Sequence, residues 1–177
     1  EQDLPRLTWE QYAKYSNSTA PAVAKRYYFH QRTWINDADH VGLALLTLSQ
    51  AEAVASLIAL SGGTVISGDR LYALDDARLT ILKKILPAYG EAARPLDLFA
   101  TDRPELFALH IQKAWDAWWL VGYFNWHEDA EVRREFAVSR LGLDPQKSYL
   151  VYTFWPQRLL AETSDRVPLQ FAPASVH

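Results

Sequence analysis

The sequence predicts an α/β segment followed by an all-β segment. Before about residue 95, apolar residues recur at helical spacing and two short extended stretches interrupt them, in the order helix, strand, helix, strand, helix. After Arg94-Pro95 the chain has five short strand-like stretches separated by turn residues. The first pattern is typical of parallel α/β folds and the second of an antiparallel β-sandwich. We therefore predict two domains, at residues 1–95 and 96–177.

Composition and charge exclude several classes of protein. The 177 residues are 49% hydrophobic and 22% charged, which is a globular rather than a disordered composition. A net charge of −3 provides no positive surface for nucleic acid or for anionic membranes. No apolar run is long enough to cross a bilayer. We therefore expect neither a nucleic-acid partner nor a membrane partner.

Two residue types are missing from the sequence. The absence of cysteine excludes disulfides, thiolate metal ligands and a cysteine nucleophile, and it leaves the redox compartment undetermined. For the location we favour a secreted or periplasmic protein over a cytoplasmic one. Because methionine is also absent, we expect the chain to be a processed product or a part of a longer protein.

The N-terminal part of the α/β segment is predicted to contain two helices and one strand. Trp9–Tyr15 and Ala22–Arg32 are predicted helices, with the polar run beginning at Ser16 and the breaker Pro21 between them. Thr33–Ile35 is predicted to be a short buried strand.

The clearest helix of the sequence begins after Thr47. Thr47 and Gln50 are spaced as a capping box, a broad apolar face follows, and Gly62-Gly63 ends the helix. Thr64–Ser67 is then predicted to be a second buried strand, and Asp75 to cap a last helix that ends near Pro87. In the β segment the predicted strands are Leu106–Ile111, Trp118–Trp126, Glu131–Val138, Ser148–Trp155 and Val167–Ala172, with a further strand beginning near Pro173.

Polar residues follow both predicted strands of the α/β segment. Asn36, Asp37, Asp39 and His40 come after the first strand, and Asp69 comes after the second. In parallel α/β folds the carboxyl ends of the strands form the binding face. The sequence therefore predicts a binding site at this edge.

The run Arg32-Thr33-Trp34-Ile35-Asn36-Asp37-Ala38-Asp39 resembles the Trp-Asn-Asp-Pro-Asp segment of α-galactosidases (melibiases), in the clan of glycoside hydrolase families 27 and 36. The resemblance continues through the helix after the motif, the segment Leu60–Asp69, the phrase Ala93–Phe99 and a strand like Val121–Trp126. It covers roughly residues 22–172. Ala38 departs from the motif because it stands where relatives have proline, and Gly68 replaces a polar or acidic residue.

The resemblance implies the last units of a (β/α)8 TIM barrel, followed by the β-sandwich. In that family a terminal α-galactose or a related sugar binds at the barrel, and two aspartates hydrolyse the glycoside with retention of configuration, their carboxyl groups about 5–5.5 Å apart. Both catalytic aspartates come from earlier strands, so we expect them upstream of residue 1 and assign neither role within this chain. The implied partners are a carbohydrate substrate and the remainder of the parent barrel.

The resemblance also implies which residues bind the sugar. Asp39 matches the aspartate that hydrogen-bonds sugar hydroxyls, and Asp37 matches the one closer to the frame of the site. Trp34 and Asn36 accompany them, while His40 and Asp69 are candidates for the same rim. The residues alone also allow Asp37 and Asp39 to be turn and capping residues.

Other chemistry has little support in the sequence. Histidines and carboxylates form no compact set that would hold a metal ion, and no cofactor is expected. Ser61 lacks the context of a nucleophile elbow. The tryptophans Trp115, Trp118, Trp119 and Trp126 fit core or interface packing better than sugar stacking.

We therefore predict the C-terminal part of a retaining glycosidase that is inactive as an isolated chain. The alternative is a non-catalytic carbohydrate-binding or structural module derived from such an enzyme. The sequence does not fix the sugar, the linkage or the oligomeric state.

Overall fold

The computed structural model describes residues 8–15 and 18–177 of the chain. Within these residues, the part before Arg94 consists of helices and turns joined by extended segments. It has a π-helical turn at Glu10–Lys14 and 3₁₀ turns at Tyr27–Phe29 and Leu71–Ala73. The helices are α1 (Thr19–Arg26), α2 (Leu48–Leu60) and α3 (Asp76–Lys84).

The first predicted helix is shorter than predicted, and Pro21 does not separate two helices. Within the predicted range Trp9–Tyr15, the structure has the π-helical turn. Helix α1 begins at Thr19, so Pro21 lies in its first turn, where the missing N–H of proline costs no helical hydrogen bond. The predicted breaker residues Ser16 and Asn17 lie outside the described residues.

The second predicted helix, Ala22–Arg32, begins earlier and ends earlier than predicted. The backbone leaves the α-helical region at Arg26, which has a φ of −111° and a ψ of 3°. A single 3₁₀ turn continues to Phe29 and ends the helical stretch. Three consecutive aromatic residues form this turn; Tyr27 packs edge-on against Tyr28, and Tyr28 packs against Phe29 with the rings tilted.

Helix α2 confirms the prediction at both ends. The Thr47 side chain accepts a hydrogen bond from the Gln50 backbone, and the Gln50 side chain accepts one from Thr47 N–H, so the capping box is complete. The helix ends before Gly62, whose φ of +79° is a conformation that glycine adopts without steric cost. Helix α3 is also capped as predicted, because Asp75 accepts a hydrogen bond from Arg78 N–H.

The predicted buried strands Thr33–Ile35 and Thr64–Ser67 are wrong as regular strands. Within the described residues these parts of the chain form only isolated parallel bridges, which join His30 to Trp34, Asp37 to Thr64 and Val41 to Ser67. Trp34, Ile35 and Ile66 are exposed rather than buried. A regular strand needs repeated hydrogen bonds to its neighbours and packing on its faces, and these segments contact one another at only a few positions.

The β segment confirms all five predicted strands, with ends that differ by one or two residues. Sequence reasoning missed Arg158–Thr163, because exposed residues occupy most of it and no clear alternation marks it. The strands are β1 (Arg94–Pro95), β2 (Leu106–Gln112), β3 (Ala117–Asn125), β4 (Val132–Ala137), β5 (Tyr149–Thr153), β6 (Arg158–Thr163), β7 (Arg166–Phe171) and β8 (Ser175–Val176). A 3₁₀ turn at Val138–Leu141 follows β4.

All the strand pairs are antiparallel. Strands β1, β2, β3 and β8 form one sheet in the order β1-β2-β3-β8, in which Leu109 of β2 pairs with Leu120 of β3. Strands β4 and β7 pair separately, and β5 and β6 form a hairpin with a register shift after Val151. A helical part is therefore followed by an antiparallel β part, in the predicted order.

The main hydrophobic core contains residues from both halves of the chain. Helix α2 contributes Val54, Leu57 and Ile58, and the sheet contributes Phe107 and Phe124. At this junction Gly122 lies against Leu60, since a Cβ at position 122 would be 2.5 Å from the Leu60 Cδ1. A second, smaller core joins the β-strands to one another through Leu106, Tyr123, Phe136, Val138, Val167 and Phe171. None of the helices in the described part of the chain is both long and apolar enough to cross a membrane.

Candidate functional site

Two segments, 36–41 and 64–68, run parallel. The first carries four of the predicted site residues, Trp34 precedes it, and Asp69 follows the second segment. Because they are parallel, the polar residues that follow each segment lie at the same edge. Three backbone hydrogen bonds join the segments: Thr64 N–H to Asn36 O (3.2 Å), Val41 N–H to Ile66 O (2.7 Å) and Gly68 N–H to Val41 O (2.9 Å).

Gly63 allows the two segments to approach one another. A Cβ at this position would lie 1.6 Å from the Asn36 carbonyl oxygen, a distance that no side chain can occupy. The same carbonyl accepts the hydrogen bond from Thr64. Gly63 is therefore required by close packing of backbone against backbone, whereas the sequence suggested only a helix stop.

Asn36 is buried and holds the base of the site in place. Its backbone N–H donates to His30 Nδ1 (3.0 Å), and its side chain donates to the Ser61 carbonyl (3.3 Å) and accepts from Trp34 Nε1 (3.1 Å). His30 Nε2 in turn lies 2.9 Å from the Gly90 carbonyl, so the ring proton is on Nε2. Asn36 thus positions Trp34. A direct contact between Asn36 and the sugar stays a prediction.

Trp34 presents one partly exposed ring. Phe29 stacks on it with the ring centroids 4.5 Å apart, and the residue is nevertheless 46% exposed. The fixed orientation of the indole comes from the stacking and from the hydrogen bond to Asn36. A rigid, exposed aromatic face is suited to stacking on a ligand.

Asp37 and Asp39 form a tight turn with both side chains exposed. The Asp37 Oδ1 accepts a hydrogen bond from Asp39 N–H at 2.9 Å, and Asp39 has a φ of +69°. Aspartate is one of the few residues that tolerate this left-handed conformation. The two aspartates therefore form a turn around the buried Ala38.

His40 contacts Asp39 directly. The Asp39 Oδ1 accepts a hydrogen bond from the His40 backbone N–H (2.8 Å) and lies 2.7 Å from His40 Nδ1. The imidazole packs over Gly68, where a Cβ would lie 2.0 Å from His40 Cδ2. The departure from the family pattern at Gly68 thus makes room for His40, which orients the Asp39 carboxylate.

Asp69 has a different environment from the other predicted site residues. Its carboxylate accepts hydrogen bonds from the backbone N–H groups of Leu43 (2.6 Å) and Ala44 (3.2 Å). These bonds fix the loop after His40, which Tyr12 also holds by donating to the His40 carbonyl (2.8 Å). Burial raises the pKa of Tyr12, which therefore stays protonated as a hydrogen-bond donor.

A cleft of about 910 Å³ brings four of the six predicted site residues together. Trp34, Asn36, Asp37 and Asp39 line it, and we call it the aspartate cleft; His40 and Asp69 do not line it. Sequence reasoning missed its opposite wall, which the N-terminal helices provide. That wall includes Gln11, Tyr15, Ser18, Thr19, Ala22, Val23 and Arg26.

The aspartate cleft suits a hydroxylated ligand. Two exposed carboxylates provide hydrogen-bond acceptors, Trp34 provides an aromatic face, and Arg26 is the one cation among the described lining residues. In the described ranges no group of three or more histidines and carboxylates is placed to hold a metal ion.

Comparison with known proteins places this fold among glycosidase structures. No family model and no curated protein sequence matches the chain. Among solved structures, α-galactosidase I from Mortierella vinacea superposes with a TM-score of 0.68 at 14% identity, over 90% of this chain and 41% of its own. A variant of Abp, a GH27 β-L-arabinopyranosidase from Geobacillus stearothermophilus solved with arabinose, superposes with a TM-score of 0.75 at 15% identity. That match covers 96% of this chain and 41% of the enzyme.

A third solved structure contains a different saccharide from the arabinose complex. The isomalto-dextranase of Arthrobacter globiformis T6, solved with panose, superposes with a TM-score of 0.68 at 17% identity, over 91% of this chain and 28% of its own. The chain thus spans about two fifths or less of the lengths of these three enzymes. It has an α-galactosidase-like fold, and the resemblance predicted from the sequence is confirmed at the level of the fold.

Proposed function

We propose that the chain is the C-terminal part of a retaining glycoside hydrolase that acts on terminal α-galactosides or related sugars. In this proposal residues 1–95 are the last units of a (β/α)8 barrel and residues 96–177 are the β-sandwich beside it. The observation that supports it best is the aspartate cleft, where Trp34, Asp37 and Asp39 meet at one edge of two parallel segments.

The proposed roles follow from the contacts of each side chain. Asp39 hydrogen-bonds the sugar hydroxyls, and His40 holds its carboxylate in one orientation through the contact at Oδ1. Asp37 stabilises the left-handed backbone of Asp39. Trp34 packs against the sugar, and Asn36 fixes the indole. The nucleophile and the acid/base belong to the remainder of the parent barrel.

Exposed apolar side chains on and beside the parallel segments support the proposal that a further part of the barrel packs against them. Ile35 is 58% and Ile66 53% exposed, although both stand on segments that the sequence predicts to be buried. Leaving such side chains in water costs free energy that a packed layer would recover. The remainder of the parent barrel would supply that layer.

The test uses the parent protein, cloned with the coding region upstream of Glu1. We expect it to hydrolyse an aryl α-galactoside or an aryl β-L-arabinopyranoside, and we expect the 177-residue chain alone to be inactive. In the parent, Asp39→Asn should lower kcat/KM by about 10- to 100-fold, the loss expected for a hydrogen bond to a charged group. Asp129→Asn, in an exposed loop, is the matched control and should leave kcat/KM unchanged.

Three results would contradict the proposal. Turnover by the pure 177-residue chain would place the catalytic groups within it. An unrelated domain upstream of Glu1 would remove the proposed barrel. Equal losses in the Asp39 and Asp129 variants would show that the aspartate cleft does not bind the sugar.

A further inference from the structure

A second cavity, of about 490 Å³, lies between the helices and the β-sheet. Helices α2 and α3 form one side, strands β2, β3 and β8 form the other, and the turn between β5 and β6 closes one end. We call it the helix–sheet cavity. It shares no lining residue with the aspartate cleft, and its volume is within the range of small-molecule sites.

One wall of this cavity is polar. Ser49, Glu52 and Ser56 follow one another at i, i+3 and i+7 along α2, so they lie on one face of the helix. Lys84 of α3 stands beside them. Glu52 forms no ion pair with any residue in the described part of the chain. Burial raises the pKa of Glu52 although the charge of Lys84 opposes the shift, which shows that the carboxyl group is partly removed from water.

The rest of the lining is largely apolar and aromatic. Leu109 and Leu120 contribute from the sheet, and Tyr89, Phe154 and Trp155 contribute rings. Trp155 is held against the polar wall, because its indole N–H donates to the Ser56 hydroxyl (3.0 Å) and its carbonyl accepts from Lys84 Nζ (3.0 Å). The Lys84 ammonium also lies 5.4 Å from the Trp155 ring centroid.

The charges of the lining side chains balance. Glu52 and Lys84 carry opposite charges, and burial lowers the pKa of His177, so its imidazole is neutral at pH 7. A ligand with a net charge would therefore gain little from this site. A neutral ligand with hydroxyl groups can donate to Glu52 and accept from Lys84.

We infer that the helix–sheet cavity binds a neutral saccharide, at a site separate from the aspartate cleft. A pyranose has an apolar C–H face and an edge of hydroxyl groups, and the cavity provides aromatic rings beside a polar wall. This inference does not depend on the proposed catalytic function, because none of its residues belongs to the aspartate cleft.

Two tryptophan side chains allow the two sites to be observed separately in the 177-residue chain. The Trp155 indole N–H lies at the helix–sheet cavity and the Trp34 indole N–H lies at the aspartate cleft. Their NMR signals are assigned with Trp155→Phe and Trp34→Phe. D-galactose is then titrated into the ¹⁵N-labelled protein, and we expect a saturable shift of the Trp155 signal whether or not the Trp34 signal moves.

Variants test whether the polar wall carries the binding. Glu52→Gln should weaken the binding that the Trp155 signal reports by about tenfold, because a charge-assisted hydrogen bond becomes a neutral one. Glu128→Gln, an exposed carboxylate outside the cavity, should leave it unchanged. Ala59→Leu places extra side-chain volume in the cavity and should abolish the Trp155 shift.

The inference is overturned if the Trp155 signal does not move at saturating galactose. It is also overturned if benzene, an apolar probe, shifts that signal while galactose does not, since the cavity would then be an apolar site. Equal effects of the Glu52 and Glu128 variants would likewise exclude the polar wall.

Discussion

Single residues determine how closely the two parallel segments approach. Gly63 and Asn36 pack backbone against backbone, and Gly68 lies under the His40 ring. The two contacts differ in how they can relax, because the Asn36 carbonyl is fixed by its own segment whereas an imidazole can rotate. We therefore expect substitution at position 63 to be the more damaging.

Gly63→Ala is expected to destabilise the protein by about 3 kcal/mol or more, at the upper end of the range for an overpacked core. The new Cβ would lie 1.6 Å from the Asn36 carbonyl oxygen, so the bond from Thr64 to Asn36 cannot persist. Urea unfolding measures the loss. Gly142→Ala is the control: its φ is +72° and no atom lies within 4 Å, so only the backbone cost of about 1–2 kcal/mol applies. Equal losses in the two variants would contradict the packing argument.

Glu52→Gln is expected to stabilise the protein at pH 7. Burial raises the pKa of Glu52 above its ordinary value of 4.5, so the folded state holds the proton more tightly than the unfolded state does. The stability that this group contributes is therefore complete below pH 4.5 and is lost as the pH rises through the raised pKa. Glutamine carries no charge at any pH, so the variant does not lose this stability as the pH rises.

The pH dependence of unfolding checks this sign. The difference in urea midpoint between Glu52→Gln and the unmodified chain should be largest at neutral pH and should shrink toward zero below pH 4.5. Glu128→Gln controls for the removal of an exposed negative charge. A glutamine variant that is less stable at pH 7 would show that Glu52 stabilises the fold as a carboxylate.

At the scale of elements, the structure separates local signals from tertiary ones. Helix α2 could be predicted at both ends, because a capping box and a glycine pair act on the residues beside them. The absence of regular strands at Thr33–Ile35 and Thr64–Ser67 could not be predicted, because a regular strand depends on neighbours that local sequence does not specify. Strand β6 was missed for the same reason, since pairing with β5 defines it.

The capping box of α2 provides a test at this scale. Thr47→Ala removes the acceptor for Gln50 N–H and should cost about 1 kcal/mol of unfolding free energy. Thr80→Ala is the matched control, because the Thr80 hydroxyl only donates back to the Asp76 carbonyl within α3. Urea denaturation compares the two. An unchanged Thr47 variant would mean that tertiary packing alone holds the start of α2.

The candidate site was predicted in part, for a comparable physical reason. The motif from Trp34 to Asp39 could be recognised because its residues are consecutive in the chain. Tyr15 and Arg26, on the opposite wall of the aspartate cleft, come from earlier helices and reach it through folding. No pattern in the sequence links them to the motif.

At the scale of the whole molecule, the two predicted domains share their main core. Val54 and Leu57 of α2 pack in the same cluster as Phe107 and Phe124 of the sheet. The helix–sheet cavity lies at this junction, and Trp155 connects the two halves through Ser56 and Lys84. The proposed division at residue 95 therefore does not divide the main core, which holds residues from both sides of it.

The contact between Gly122 and Leu60 limits how such a chain can change over generations. In a lineage that acquires a side chain at position 122, the Leu60 side chain must also move or change. The new Cβ would otherwise lie 2.5 Å from the Leu60 Cδ1. Recombination near residue 95 would join halves that had not adapted to one another. Positions 60 and 122 therefore constrain one another across the junction, although they belong to different halves of the chain.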